Sequence, residues 1–152
     1  ARGSINKSTR FLKPDPDITL TIPSGTNKAI SVGAYNSYND TIASFSGRGF
    51  TREENQVKPD IVAPGVNIIG PYPGGRYATI TGTSPAASYT SGCVAMFMQY
   101  VLVDNNYPTK AFVQKIRTLL RAGANRLDGV VYPNNSTGYG LLNLRSTFEI
   151  FR

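Results

Sequence analysis

The run Gly82-Thr83-Ser84-Pro85-Ala86-Ala87 and the segment behind it restrict what this chain can fold into more than any other feature. From Pro85 to Val103 no turn-forming residue intervenes except Gly92. Small residues come first and bulky apolar ones later. Proline suits a first helical turn, where its missing N–H would have had no partner. The spacing therefore predicts a long helix starting beside Ser84, preceded by a tight small-residue turn. Ahead of it lie short β-branched or alternating segments at 18–22, 29–35, 42–46, 60–63, 66–69 and 76–81, each expected as a strand or the lead-in to the serine. Behind it, Val113, Ile116, Leu119 and Leu120 share one face of a second helix expected over 109–121. A turn at Gly138-Tyr139-Gly140 precedes a short closing helix within 141–151. Strands first and helices later give an α/β layer arrangement.

Between these elements, residues 47–58 are polar and read as a surface loop, and 1–17 as a basic, Pro-punctuated linker or the tail of a preceding region. The 152 residues are 40% hydrophobic and 16% charged, enough for a packed core in one domain or part of a larger one. The net charge of +7 is scattered over Arg2, Lys7, Arg10, Lys13, Arg48, Arg52, Arg76, Lys110 and Arg121. No basic stripe is interleaved with aromatics, so a solvated basic surface is expected and a nucleic-acid partner is not. The single cysteine, Cys93, lies in an apolar run and is expected as a buried, inert thiol. No apolar stretch is read as approaching the length of a membrane span. The chain opens with Ala1, and its natural N-terminus is expected elsewhere.

A nucleophilic serine needs an exposed hydroxyl, little bulk around the incoming carbonyl, and donors for the oxyanion that develops. The free N–H groups and positive dipole end of a helix N-terminus meet the last need. Ser84 is thus the candidate nucleophile, with Gly82 and Thr83 as candidate substrate-backbone contacts. Taken alone, the hexapeptide equally describes a serine capping an ordinary helix. The chain contains no histidine, so it holds no imidazole to take the hydroxyl proton near neutral pH.

Further motifs stand in order around Ser84: Ile30-Ser31-Val32-Gly33-Ala34, Ala43-Ser44-Phe45-Ser46, Asp60-Ile61-Val62-Ala63-Pro64-Gly65, and Gly138-Tyr139-Gly140-Leu141-Leu142-Asn143. Together, from about Thr19 to Leu144, they resemble the subtilase family of serine proteases. The 19 positions from Gly65 to Ser84 match the spacing to that family's serine. The wording is most similar to the clostridial Csp-type proteases of spore germination. The resemblance implies the C-terminal part of a three-layer α/β fold with a mostly parallel sheet. It also implies a serine endopeptidase acting through an acyl-enzyme, with Asp and His in a segment upstream of Ala1. Residues 18–152 would then be the C-terminal part of the catalytic domain and 1–17 the exit from an upstream insert.

The same resemblance implies a cis Ile22-Pro23 bond, with Thr21 and Pro23 beside the pocket for a substrate side chain. It implies no cofactor or metal. The implied partners are a protein substrate, the N-terminal part of the same protease and its propeptide, and the implied location is secreted or spore-associated. No Ala-Gly-Asn precedes Ile22, so no oxyanion side chain is assigned. One departure stands out: Ser88-Tyr89 replaces the Pro-His that usually follows the family's serine, which puts the packing beneath it in doubt. The alternative reading is a pseudoprotease that keeps the fold and binds partners without turnover.

Overall fold

A computed structural model describes residue 6 and residues 8–52, 56–105 and 108–151, with the side chains of 111–114 outside that description. A three-stranded sheet has the order β2-β1-β3, where β1 is Val32–Asn36, β2 Thr41–Ile42 and β3 Ile61–Pro64. β1 and β3 run parallel, with Val32 opposite Ile61 and Tyr35 opposite Pro64, and β2 adds an antiparallel edge. The far edge of β3 is met by the closing motif, Val62 donating to the Gly140 carbonyl at 3.0 Å and Leu142 to that of Val62 at 2.8 Å. Gly138 makes this approach possible: its φ is +58°, and a Cβ there would sit 2.0 Å from the Pro59 oxygen.

β4 (Ile68–Tyr72) and β5 (Arg76–Ile80) form a separate antiparallel hairpin that feeds directly into α1 (Thr83–Met98), extended by a π-helical segment Gln99–Asp104. α2 (Thr109–Ala122) and α3 (Leu144–Phe151) follow. The period of two along β3 divides the core. Ile61 packs with Phe97, Val101, Ile116 and Leu120 of the helices, and Ala63 with Ala34 and Ala86. Val62 points to the other face, with Tyr35 and Leu141. Phe97 anchors α3 through edge-to-face contacts with Phe148 at 4.9 Å and Phe151 at 5.5 Å.

The α/β arrangement, with strands leading into a long serine helix, matches the expectation. Several boundaries differ, each for a physical reason. No strand forms at 18–22: Ile18 adopts a left-handed φ of 54° and Ile22 is 98% exposed. Thr19 donates to the Arg48 carbonyl at 2.8 Å, a single contact where a strand would need a ladder. β1 begins at Val32 and not at 29, because the backbone before it pairs with a side chain, Ser31 N donating to Asp60 Oδ2 at 2.6 Å. The chain at 42–46 leaves the sheet after Ile42 and turns back, placing Ser46 Oγ to accept from Ala34 N at 3.0 Å. The stretch at 47–58 is largely half-buried where described, and Lys58 is wholly buried, which corrects its reading as a surface loop. Val113 of the second helix's expected face lies outside the described side chains. Where described, 6–16 is exposed, without helix or strand.

By length and composition the 22 residues Thr83–Asp104 qualify as a membrane span, which corrects the reading that no stretch approaches that length. Alanines and hydroxyl residues without a charge before Asp104 raise its hydropathy. Its buried residues Ala86, Thr90, Phe97 and Val101 lie against the sheet and the other helices, as in a core helix.

Candidate active site

Ser84 is the second residue of α1, and its side chain is exposed. Among the described residues no hydrogen bond engages its hydroxyl. The turn before it is held from β3. Gly82 is extended and donates its N–H to the Gly65 carbonyl at 2.8 Å. Gly65 in turn donates to the Tyr35 carbonyl at 3.0 Å. A Cβ on Gly65 would meet Ala34 Cβ at 2.6 Å and the Gly82 oxygen at 2.7 Å. The glycine ending Ala63-Pro64-Gly65 thus lets the sheet and the serine turn come into direct contact. No side chain caps α1, so the N–H groups of its first turn, where Thr83 and Ser84 sit, face outward without a side-chain acceptor.

The departure at Ser88-Tyr89 has a visible consequence. Ser88 Oγ donates back to the Ser84 carbonyl at 3.1 Å, a local bond along the helix. Tyr89 remains about half exposed, and its influence reaches Tyr35. Burial first, then the Asp40 carboxylate and Tyr89, raise the Tyr35 phenol above its ordinary range. Burial likewise pushes the Cys93 thiol up, although Cys93 is half-buried and not fully buried as the sequence suggested.

Thr21 and Pro23, the other two candidates, line a groove of about 840 Å³ formed by the chain leading to β1 and by residues 50–52. Ile22-Pro23 is cis, as expected. Gly82, Thr83 and Ser84 are therefore contiguous at the helix N-terminus, while Thr21 and Pro23 sit together in the groove. No hydrogen bond among the described residues joins the two sets. Among those residues no three His, Cys, Asp or Glu side chains cluster.

Sequence reasoning missed a buried ionic centre beneath this frame. Asp60 Oδ2 accepts from Lys58 Nζ at 2.7 Å and from Ser31 N, while Oδ1 accepts from Arg121 Nε at 2.9 Å and also from its terminal nitrogen. Lys58 Nζ also donates to the Ala29 carbonyl at 3.2 Å, and the Arg121 guanidinium lies 4.4 Å over the Tyr139 ring. One carboxylate thus joins the lead-in to β1, the start of β3, α2 and the closing motif. The available signal was Asp60 itself, an acid placed directly before a wholly apolar strand, where burial requires partners.

Comparisons with known proteins agree with this frame. The chain is 30% identical over 131 residues to subtilisin DY of Bacillus licheniformis, covering 86% of this chain and 41% of that protein. It is 32% identical over 121 residues to pyrolysin of Pyrococcus furiosus, covering 75% of this chain and 8% of that protein. The solved structure of the Clostridium perfringens CspB protease superposes with a TM-score of 0.86 at 41% identity, over 93% of this chain and 31% of that one. The likeness to Csp-type proteases in the sequence is therefore matched in three dimensions. The chain spans well under half the length of each of these relatives. The subtilase family model matches residues 6–140, most of the chain's length, and the chain belongs to the subtilase family.

Proposed function

We propose that the complete protein is a serine endopeptidase in which Ser84 is the nucleophile. The observation that carries this reading is the exposed Ser84 in the uncapped first turn of α1, held by the Gly82–Gly65 hydrogen bond. Ser84 Oγ attacks the scissile carbonyl, and an upstream His takes its proton while an upstream Asp orients that imidazole. The helix N-terminus stabilises the oxyanion, the amine leaves with a proton from the imidazolium, and water releases the acyl group. Gly82 and Thr83 leave room for the substrate backbone, and Thr21 and Pro23 border a side-chain subsite.

In this reading, residues 18–152 are the C-terminal part of the catalytic domain and residues 1–17 the exit from an upstream insert. The partners are a protein substrate, the segment carrying Asp and His, and a propeptide. The likeness to CspB supports a secreted or spore-associated enzyme that processes a germination hydrolase precursor. The test is hydrolysis by the complete protein of candidate precursors and of a chromogenic peptide, before and after Ser84→Ala. The second reading, a pseudoprotease, draws on the absence of histidine from this chain and on Ser88-Tyr89. It predicts unchanged partner binding in Ser84→Ala and no turnover in either protein.

A further inference from the structure

The groove bordered by Thr21 and Pro23 has an electrostatic character that its apolar floor does not require. Its charged lining residues among those described are Lys28 and Arg52, both cations, and both are exposed. No carboxylate among the described residues lines it. Other basic side chains of the molecule are engaged: Lys58 and Arg121 with Asp60, Arg145 with Glu149, and Arg117 with the Asn27 carbonyl. Lys28 and Arg52 have no side-chain partner among the described residues.

Their backbone, by contrast, is pinned. The carbonyl before Lys28, on Asn27, is held by Arg117, and the carbonyl after it, on Ala29, by the buried Lys58. Arg52 follows Thr51, whose N–H and hydroxyl both bond to the backbone of Gln56. Two unpaired cations are thus set on anchored backbone at one groove, with Thr21, Thr26 and Thr51 supplying hydroxyls beside them.

We infer that this groove selects an acidic side chain of the polypeptide substrate, with Lys28 and Arg52 as the specificity-determining residues. The inference rests on the endopeptidase reading and adds the substrate's chemistry to it. Lys28 stands six residues before Ala34, which packs at Gly65 beside the serine turn. That length of chain reaches at most about 20 Å. An extended substrate rises about 3.3 Å per residue, so the selected acid lies within roughly six residues of the scissile bond.

The experiment uses the complete protein carrying Ser84→Ala and fluorescent peptides in which a single Glu is walked along a neutral scaffold. Binding is read by anisotropy against the Gln counterpart of each peptide. The expected result is one position where Glu binds roughly 5- to 20-fold tighter than Gln, weakening in high salt. Lys28→Glu with Arg52→Glu should abolish that preference and transfer it to the Lys peptide. Glu and Gln binding alike at every position, no binding at all, or a preference that survives the double substitution overturns the inference. Fluorophosphonate labelling of the protein with Ser84 intact is run in parallel. Labelling without an acid preference sinks only this inference, whereas an acid preference without labelling supports the groove and sinks the peptidase reading.

Discussion

Gly65 and Asp60 do different work for the same serine. Gly65 is a contact that tolerates no side chain, and Asp60 is a charge that tolerates no loss of partners. Gly65→Ala forces the new methyl against Ala34 and the Gly82 carbonyl, so a cost of about 1–3 kcal/mol is expected. Because the strain falls on the turn that presents Ser84, the complete protein should also react more slowly with a serine-directed probe. Urea unfolding and labelling rate measure the two effects separately.

Asp60→Ala strands Lys58, which is wholly buried, and a loss of about 3–5 kcal/mol in urea unfolding is expected. Lys58→Met should cost less, since Asp60 keeps its bonds to Arg121 and Ser31. Cys93 gives a prediction in pH. Burial raises its thiol pKa, so at mildly alkaline pH it holds less thiolate than a free thiol does. Alkylation by iodoacetamide should be slower there than that of a small free thiol. Its rate should go on rising with pH after that of the free thiol has levelled off.

At the scale of elements, α1 and its anchoring of α3 dominate. Phe97→Ala removes a fully buried ring and both aromatic contacts to α3, for an expected loss of about 3–5 kcal/mol. Loss of protection in α3 by hydrogen exchange would locate the damage. The elements legible in the sequence were those whose signal is local. The serine helix announces itself through Pro85 and an unbroken run, and β3 through a short apolar stretch closed by Pro64-Gly65. What was not legible depends on distant partners. The alternation at 18–22 resembles a strand, yet a strand needs a neighbouring backbone along its length, and Thr19 finds only Arg48. Lys58 sits in a polar run and is buried because Asp60 and the Ala29 carbonyl wait for it. Likewise, the residues of the serine turn could be read from the sequence, but the tether from Gly82 to Gly65 is a contact across 17 positions of chain that no local pattern reveals.

For the whole molecule, the surface carries more apolar area than a self-contained domain favours. Tyr89, Met96 and Val103 of the serine helix stand 49%, 62% and 66% exposed, and Ile69 and Tyr77 of the hairpin 73% and 75%. Expressed alone, the 152 residues should self-associate in light scattering and hydrolyse no peptide, since an unassisted serine hydroxyl is a poor nucleophile. Joined to the upstream segment, the same chain should become monodisperse and active. The most direct test of that account is covalent labelling of the complete protein by a fluorophosphonate probe, with the modified residue mapped by mass spectrometry. Labelling at Ser84 is predicted, lost in Ser84→Ala together with turnover by a factor on the order of 10⁶. Labelling at another residue, or a folded complete protein that never labels, would contradict it.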